Sequence, residues 1–379
     1  MTRPCFLGSG IATYLGTGAS ENLAALRQPP RPPETVTRQV DGRVEAIPYK
    51  LLKGFPVDAA SARLTSVVDA VVDEALGEAA LSRSARRAMA LFVGSSSFDI
   101  SESESRYRDE LARGSGALPL SSSSVANVAE GVRRRFDLAG EDFTFNTACT
   151  ASANGLWYAA RMIRSGVVAH ALVLGVELLN DLTALGFLGL GLLSRSTMRP
   201  FDDRRDGLVL GEACSALVIG PGDSDRFHFL SGANVCDTHS MVAAHPGGST
   251  IAAVMHEALT GAKLAAGDIT AVKAHGTANP ANDDAEAAGL TSVFAPLPPI
   301  CALKPHLGHT LGASGLTELV LFYRALESGF LAATPGIGGR AATGGVSLNQ
   351  VEQPMSRGCF MLNSFGFGGS NTSLLIGRS

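Results

Sequence analysis

Cys149 stands in Asn146-Thr147-Ala148-Cys149-Thr150-Ala151-Ser152-Ala153, where the strand-like run Phe143-Thr144-Phe145 gives way to a helix-like stretch of small residues. A thiol in the first turn of a helix faces unpaired backbone N–H groups and the positive end of the helix dipole. Both favour the thiolate, which is the form that attacks an electrophile. A lone cysteine is more often a small packed hydrophobe. The rest of the chain decides between the two.

Four further segments hold side chains suited to acid, base or donor roles. Ala274-His275-Gly276-Thr277-Ala278-Asn279-Pro280, followed by Asp283 and Glu286, puts a histidine directly after an apolar run and before a glycine turn. Strand ends of this kind are where α/β sheets build their sites. Lys304-Pro305-His306-Leu307-Gly308-His309-Thr310-Leu311-Gly312-Ala313-Ser314-Gly315 is a glycine-rich entry into a helix of small residues. Asn363-Ser364-Phe365-Gly366-Phe367-Gly368-Gly369-Ser370-Asn371 reads as a flexible turn between two strands, and the stretch from Arg199 to Glu212 is dense in Arg and Asp. Taken singly, each has an ordinary structural explanation: a hydrogen-bonded core histidine, a tight turn, a salt-bridged loop.

Strands and helices must bring these segments together. Residues 5–12 read as a first strand, and the proline-rich 28–33 as a surface loop. Apolar residues recur at helical spacing over 64–80, and 88–94 follows as a strand. Serine tracts at 95–97 and 121–124 bracket a charged segment, and a helix over 124–135 ends in Arg133-Arg134-Arg135. Continuous apolar runs at 169–176 and 213–219 mark strands covered on both faces. The second half repeats the alternation, with helices near 249–264, 283–290 and 312–328, strands at 270–274 and 299–303, and a last strand pair within 357–376. Strands alternating with helices on this scale imply α/β layers, and the similar order in the two halves suggests a duplication.

The totals narrow the setting. With 379 residues, 45% hydrophobic and 17% charged, the chain is long enough for two cores and well buried. A net charge of −4 gives no electrostatic footprint for nucleic acid. Six scattered cysteines without CxxC spacing read as free thiols in a reducing compartment, not as disulfides or a zinc site. Met1 to Gly8 shows no charged stretch leading into a long apolar core, and no apolar run is long enough to span a bilayer. A soluble, cytoplasmic protein is the expectation.

In order and spacing, the segments TACTASA, RPFDDRRDGLVLGE, AHGTANPANDDAE, KPHLGHTLGASG and NSFGFGGSN together resemble the β-ketoacyl-acyl-carrier-protein synthases of the thiolase superfamily, over almost the whole chain. Pairing the cysteine with two histidines, in HGT and GH contexts, is similar to the elongating branch. The resemblance implies an α/β fold, a five-layer α-β-α-β-α sandwich of two similar halves. Residues 1–225 would carry the nucleophile, and 226–379 the two histidines and the GFGG turn. It implies no cofactor and no metal. It also implies an acyl carrier protein as partner, and a homodimer or a heterodimer with a related ketosynthase.

By that resemblance, Cys149 accepts an acyl chain, and the backbone N–H groups of Cys149 and Phe367 form the oxyanion hole. His275 and His309 donate to the malonyl thioester oxygen as decarboxylation makes an enolate. Lys304 holds positive charge beside them, Glu286 and Asp283 anchor it, and Thr277 and Thr310 support the turns. Phe367 is the gate, with Gly366 and Gly368 supplying backbone freedom. Arg133–Arg135, Arg63 and Arg204–Arg205 are candidates for carrier docking. Pro305-His306 and Ala278-Asn279 depart from the usual pattern, and the chain is somewhat short. These features resemble synthases of secondary pathways such as aryl-polyene or polyketide clusters. Two rival readings are a chain-length factor, which typically lacks the nucleophile, and a coenzyme A thiolase. The thiolase would need a second cysteine, for which Cys359 is the nearby candidate.

Overall fold

A computed structural model of the chain describes residues 2–55, 60–114, 124–223, 225–334 and 343–379. Ten strands form its core. The first half supplies β1 (Cys5–Thr13), β2 (Ala90–Gly94), β3 (Asp142–Phe145), β4 (Ala171–Glu177) and β5 (Ala213–Gly220). The second supplies β6 (His228–Cys236), β7 (Ile269–Lys273), β8 (Ile300–Cys301), β9 (Gly358–Phe365) and β10 (Ser370–Arg378). Across the first sheet the order is β3-β2-β4-β5-β1, and across the second β8-β7-β9-β10-β6. These are one permutation used twice. Directions repeat as well: β3, β2 and β4 run parallel, and β5 is antiparallel to both β4 and β1. In the second sheet β8, β7 and β9 run parallel, and β10 is antiparallel to β9 and β6. The sheets meet edge to edge at a single pair, Cys5 and His228.

Six helices complete the layers. α1 (Ala60–Ala79) and α2 (Asn127–Phe136) cover the outer face of the first sheet. α4 (Ser249–Ala262) and α5 (Pro280–Val293) cover the outer face of the second. Between the sheets lie α3 (Ala151–Arg164) and α6 (Ser314–Glu327), which contact strands of both. The result is the α-β-α-β-α sandwich, and the continuous apolar runs are its doubly covered strands: every residue of β4 is buried. α6 is buried over nearly its whole length, including Glu318, because a central helix has no solvent face.

The small residues at the starts of the two central helices have a packing reason. A Cβ on Gly315 would lie 2.6 Å from the Ala153 Cβ and 2.8 Å from the Ala153 nitrogen. The helix starts therefore touch backbone to backbone, which brings the turn before α3 against the turn before α6. Those turns carry Cys149 and His309.

Several elements go beyond the sequence reading. An antiparallel hairpin, Glu34–Val40 with Arg43–Lys50, follows the proline-rich loop. The strand β6 and the helices Ile100–Arg113 and Asp181–Gly189 also lacked a clear signal. Helix Asp181–Gly189 is apolar almost all round, so its sequence shows no amphipathic stripe. The tract Ser121–Ser123 lies outside the described residues.

Candidate active site

Cys149 sits in a 3₁₀ turn, Ala148–Thr150, that feeds α3. Ala148 takes φ 48°, a left-handed conformation that L-residues avoid, and the chain reverses sharply there between β3 and α3. The turn is tied down on several sides. The Thr147 carbonyl accepts from the Thr150 amide at 3.2 Å and from the Thr150 hydroxyl at 2.7 Å. Asn154 donates to the Thr147 hydroxyl at 2.9 Å, and Thr150 Oγ1 lies 2.8 Å from Ser370 Oγ at the start of β10. Cys149 is buried, and the backbone amides of Phe367 and of Cys149 itself favour its thiolate form.

The ionisation of the thiol differs from the sequence expectation. Burial pushes the Cys149 thiol up to about 11, against the opposing pull of the Lys304 charge and the Phe367 amide. The helix-terminal position does not outweigh desolvation. The favourable charge comes from Lys304, not from His275, which is itself neutral. Cys149 rests as a thiol.

The two histidines meet with ring centroids 5.5 Å apart, edge to face. His275 follows the end of β7, and His309 lies between the short helix Lys304–Leu307 and α6. Their tautomers follow from their partners. Lys304 Nζ lies 3.2 Å from His275 Nδ1 and also donates to the His275 carbonyl at 2.7 Å. An ammonium can only donate, so His275 Nδ1 is the acceptor and Nε2 carries the proton. His309 Nδ1 accepts from the Leu311 amide at 3.3 Å, which likewise leaves its proton on Nε2. Burial, reinforced by Lys304, pushes His309 down to about 3 and His275 well below the usual imidazole range. Both rings are neutral N–H donors at pH 7.

The supporting carboxylates hold something other than the sequence reading assigned. Glu286 accepts from the His275 and Gly276 amides at 2.7 and 2.8 Å, and Asp283 accepts from the Thr277 and Phe201 amides at 3.0 and 2.7 Å. They fix the backbone of the HGT turn, where Gly276 has φ 52°, rather than anchoring Lys304. Burial raises the Asp283 carboxyl to about 7. Asn279 caps α5 by accepting from the Asn282 amide at 3.2 Å. The Thr310 hydroxyl is buried with no hydrogen-bond partner among the described residues.

Lys304 is anchored by Glu318, 2.6 Å away on α6. Lys273, the last residue of β7, lies 2.9 Å from the other oxygen of the same carboxylate. Burial raises the Glu318 carboxyl, but the two ammonium groups overcome it and hold it at about 2. Glu177 is a fourth buried carboxylate, accepting from the Gly312 amide at 3.1 Å and from Ser96 and Ser97. The signal for Glu318 was a charge inside the apolar run Leu316 to Phe322, where an unpaired carboxylate is costly.

The glycine turn closes the site. Phe365 packs edge-on against His275 at 5.6 Å, and Phe367 stacks on Phe187 of helix Asp181–Gly189 at 5.6 Å. Gly368 has φ 77°, as a flexible turn requires. Gly366 is extended, and its need is space: a Cβ there would come within 3.3 Å of the Cys149 nitrogen and the Thr147 oxygen. The segment Asp237–His245 braces the turn, with Gly368 donating to the Met241 carbonyl and Asp237 to the Gly369 carbonyl, both at 2.8 Å.

The arginines offered as docking candidates each pair with a carboxylate. Arg133 pairs with Asp142, Arg134 with Glu130 and Arg135 with Asp69. Arg63 pairs with Glu212, Arg204 with Asp202 and Arg205 with Asp284. Cys359 begins β9, whereas Gly366 at its far end touches the Cys149 turn. They lie seven steps apart along extended backbone, about 23 Å. Among the described residues, no cluster of three or more His, Cys, Asp or Glu side chains is gathered for a metal. No helix of the described residues is long and apolar enough to cross a membrane.

Comparisons with known proteins show the family and the fold. Residues 58–224 match the N-terminal domain of beta-ketoacyl synthases, and residues 230–337 the C-terminal domain. The chain belongs to the β-ketoacyl synthase family. It is 29% identical over 276 residues to a 3-oxoacyl-[acyl-carrier-protein] synthase 2 of Coxiella burnetii, covering 67% of this chain and 66% of that protein. It is also 29% identical over 329 residues to the polyketide synthase ThaG of Burkholderia thailandensis, covering 77% of this chain but only 6% of ThaG. In fold it is similar to a ketosynthase solved in complex with its chain length factor from Xenorhabdus doucetiae. That match has a TM-score of 0.86 and 24% identity, covering 100% of this chain and 98% of that one.

Proposed function

We propose that this chain is a condensing acyltransferase, a 3-oxoacyl-acyl-carrier-protein synthase of the Cys-His-His type. Cys149 attacks the thioester of an acyl carrier, its proton leaving with the carrier thiol, while the Cys149 and Phe367 amides take the oxyanion. A malonyl-carrier thioester then enters past Phe367. Loss of carbon dioxide leaves an enolate whose oxygen accepts from the Nε2–H groups of His275 and His309, and its carbon attacks the acyl-Cys149 carbonyl. The Cys149 sulfur departs and is reprotonated.

The observation that carries the reading is the pair of tautomer-fixed, neutral histidines, in ring contact with each other and held by Lys304 and the Leu311 amide. Malonyl decarboxylation needs donors without a competing negative charge, and Lys304 supplies that field. His309→Ala should leave acyl loading from an acyl carrier intact. It should slow decarboxylation of malonyl carrier by on the order of 10²–10³-fold, as loss of one oxyanion donor does. Equal loss of both half-reactions would contradict the division of labour.

Two finer points belong to the same reading. β3 is a sheet edge along which a second copy or a related ketosynthase would pair, and the solved neighbour with a chain length factor makes the heterodimer the form to test first. The nucleophile, both histidines and Lys304 are in place, which favours the catalytic subunit over the chain length factor. The position of Cys359, at the opposite end of β9 from the glycine turn, weighs against the thiolase reading. The pathway we favour is a polyketide or aryl-polyene type of secondary biosynthesis in the cytoplasm.

A further inference from the structure

Lys273 is a buried charge that the reaction as written does not use. It is 1% exposed, at the end of β7 two residues before His275. Its ammonium has two partners: Glu318 Oε2 at 2.9 Å and the Asn363 carbonyl at 2.6 Å. Glu318 Oε1 accepts from Lys304 at 2.6 Å and from the Ser314 hydroxyl. Lys304 and Glu318 are equally buried. One carboxylate is therefore shared by two ammonium groups, and the cluster carries a net positive charge in a region with no solvent to screen it.

A simple Lys304–Glu318 pair would be neutral overall and would present little field to its surroundings. With Lys273 drawing on the same carboxylate, the Lys304 charge at His275 Nδ1 is left only partly compensated. We propose that Lys273 is a positioning residue of the condensation site, which by sharing Glu318 keeps the Lys304 charge directed at the histidine pair. It also joins the strand that leads to the gate, through Asn363 on β9, to the central helix α6.

The groups that face the pair set the sign. His275 is faced by Lys304, Lys273 and His309, with Glu286 at its backbone amide. His309 is faced by Lys304, Lys273 and Glu318, and Glu177 holds the Gly312 amide just beyond it. Lys273 lowers both imidazoles. A lowered imidazole stays a neutral donor to more acidic pH, so removing Lys273 must raise the acid limb of the histidine-dependent step. The inference rests on the condensing activity proposed above for its kinetic arm only.

The test compares wild type, Lys273→Met and Lys273→Arg in two measurements. The first is the titration of His275 and His309 followed by NMR of ¹³C-labelled imidazoles. The second is the pH profile of malonyl-carrier decarboxylation. In Lys273→Met both histidine midpoints should rise by about one pH unit, making decarboxylation about tenfold slower on the acid limb, while Lys273→Arg restores the wild-type profile. If Lys273→Met does not fold, Lys273→Gln, which keeps a donor for the Asn363 carbonyl without the charge, carries the comparison. A variant with a lower melting temperature but unmoved histidine midpoints would overturn the proposal and leave Lys273 a structural residue. Wild-type protein that does not decarboxylate malonyl carrier would count against the activity alone, since the NMR arm still decides the role of Lys273.

Discussion

A single sulfur shows how local position and burial compete. The sequence places Cys149 at a helix start, and that much is legible from the change to small residues after Phe145. Its protonation was not legible, because desolvation depends on what packs around the turn, and Ala184, Met198, Leu210 and Leu311 come from distant parts of the chain. With the thiol at about 11, alkylation of Cys149 by iodoacetamide should climb about tenfold per pH unit from 7 toward 11. Site-resolved mass spectrometry separates it from the exposed Cys236. Lys304→Met should move the profile to still higher pH, since it removes the charge that opposes burial. A plateau near pH 8 would show that the buried-thiol account is wrong. The histidine pair was legible as two residues, but the tautomers that make it useful required the Lys304 and Leu311 partners.

At the scale of elements, the two central helices decide the geometry. Their small residues at 151–155 and 312–315 read in the sequence as a helix-like stretch and a glycine-rich helix entry, and in the fold they are a backbone-to-backbone contact. Packing of this kind leaves no period in one segment, since each half of the contact is set by the other. The glycine turn behaves alike. Gly366→Ala adds a methyl that must push the Cys149 turn, so acyl loading should fall by on the order of tenfold or more. Thermal unfolding should register a loss of only about 1–3 kcal/mol. Loading at the wild-type rate would show that the turn tolerates displacement, and that the oxyanion pair is not held by Gly366. The hairpin over 34–50 and the apolar helix Asp181–Gly189, both of which pack near Cys149, escaped the sequence because one alternates weakly and the other has no polar face.

Across the whole molecule, one strand order used twice explains why the two halves looked alike without sharing sequence. Topology and layer order repeat, whereas the chemistry has diverged, with the thiol before α3 and His309 before α6. The repeat leaves two sheet ends. At β8 the edge is covered, as the Ile300 carbonyl accepts from Asn349 and the Ala302 amide donates to Thr334. At β3 the carbonyls of Glu141 and Phe145 point to β2, so Asp142 and Thr144 turn their backbone groups outward. Among the described residues no strand pairs with this edge, and the proposed dimer would use it. Thr144→Pro removes an outward N–H without touching the β2 ladder, and should convert a dimer to monomers in light scattering. An unchanged dimer would place the interface elsewhere. The central claim concerns acyl transfer itself, and intact-protein mass spectrometry after incubation with acyl carrier protein tests it most directly. The wild-type chain should gain the mass of one acyl group and Cys149→Ala none, whereas full acylation of Cys149→Ala would contradict the account.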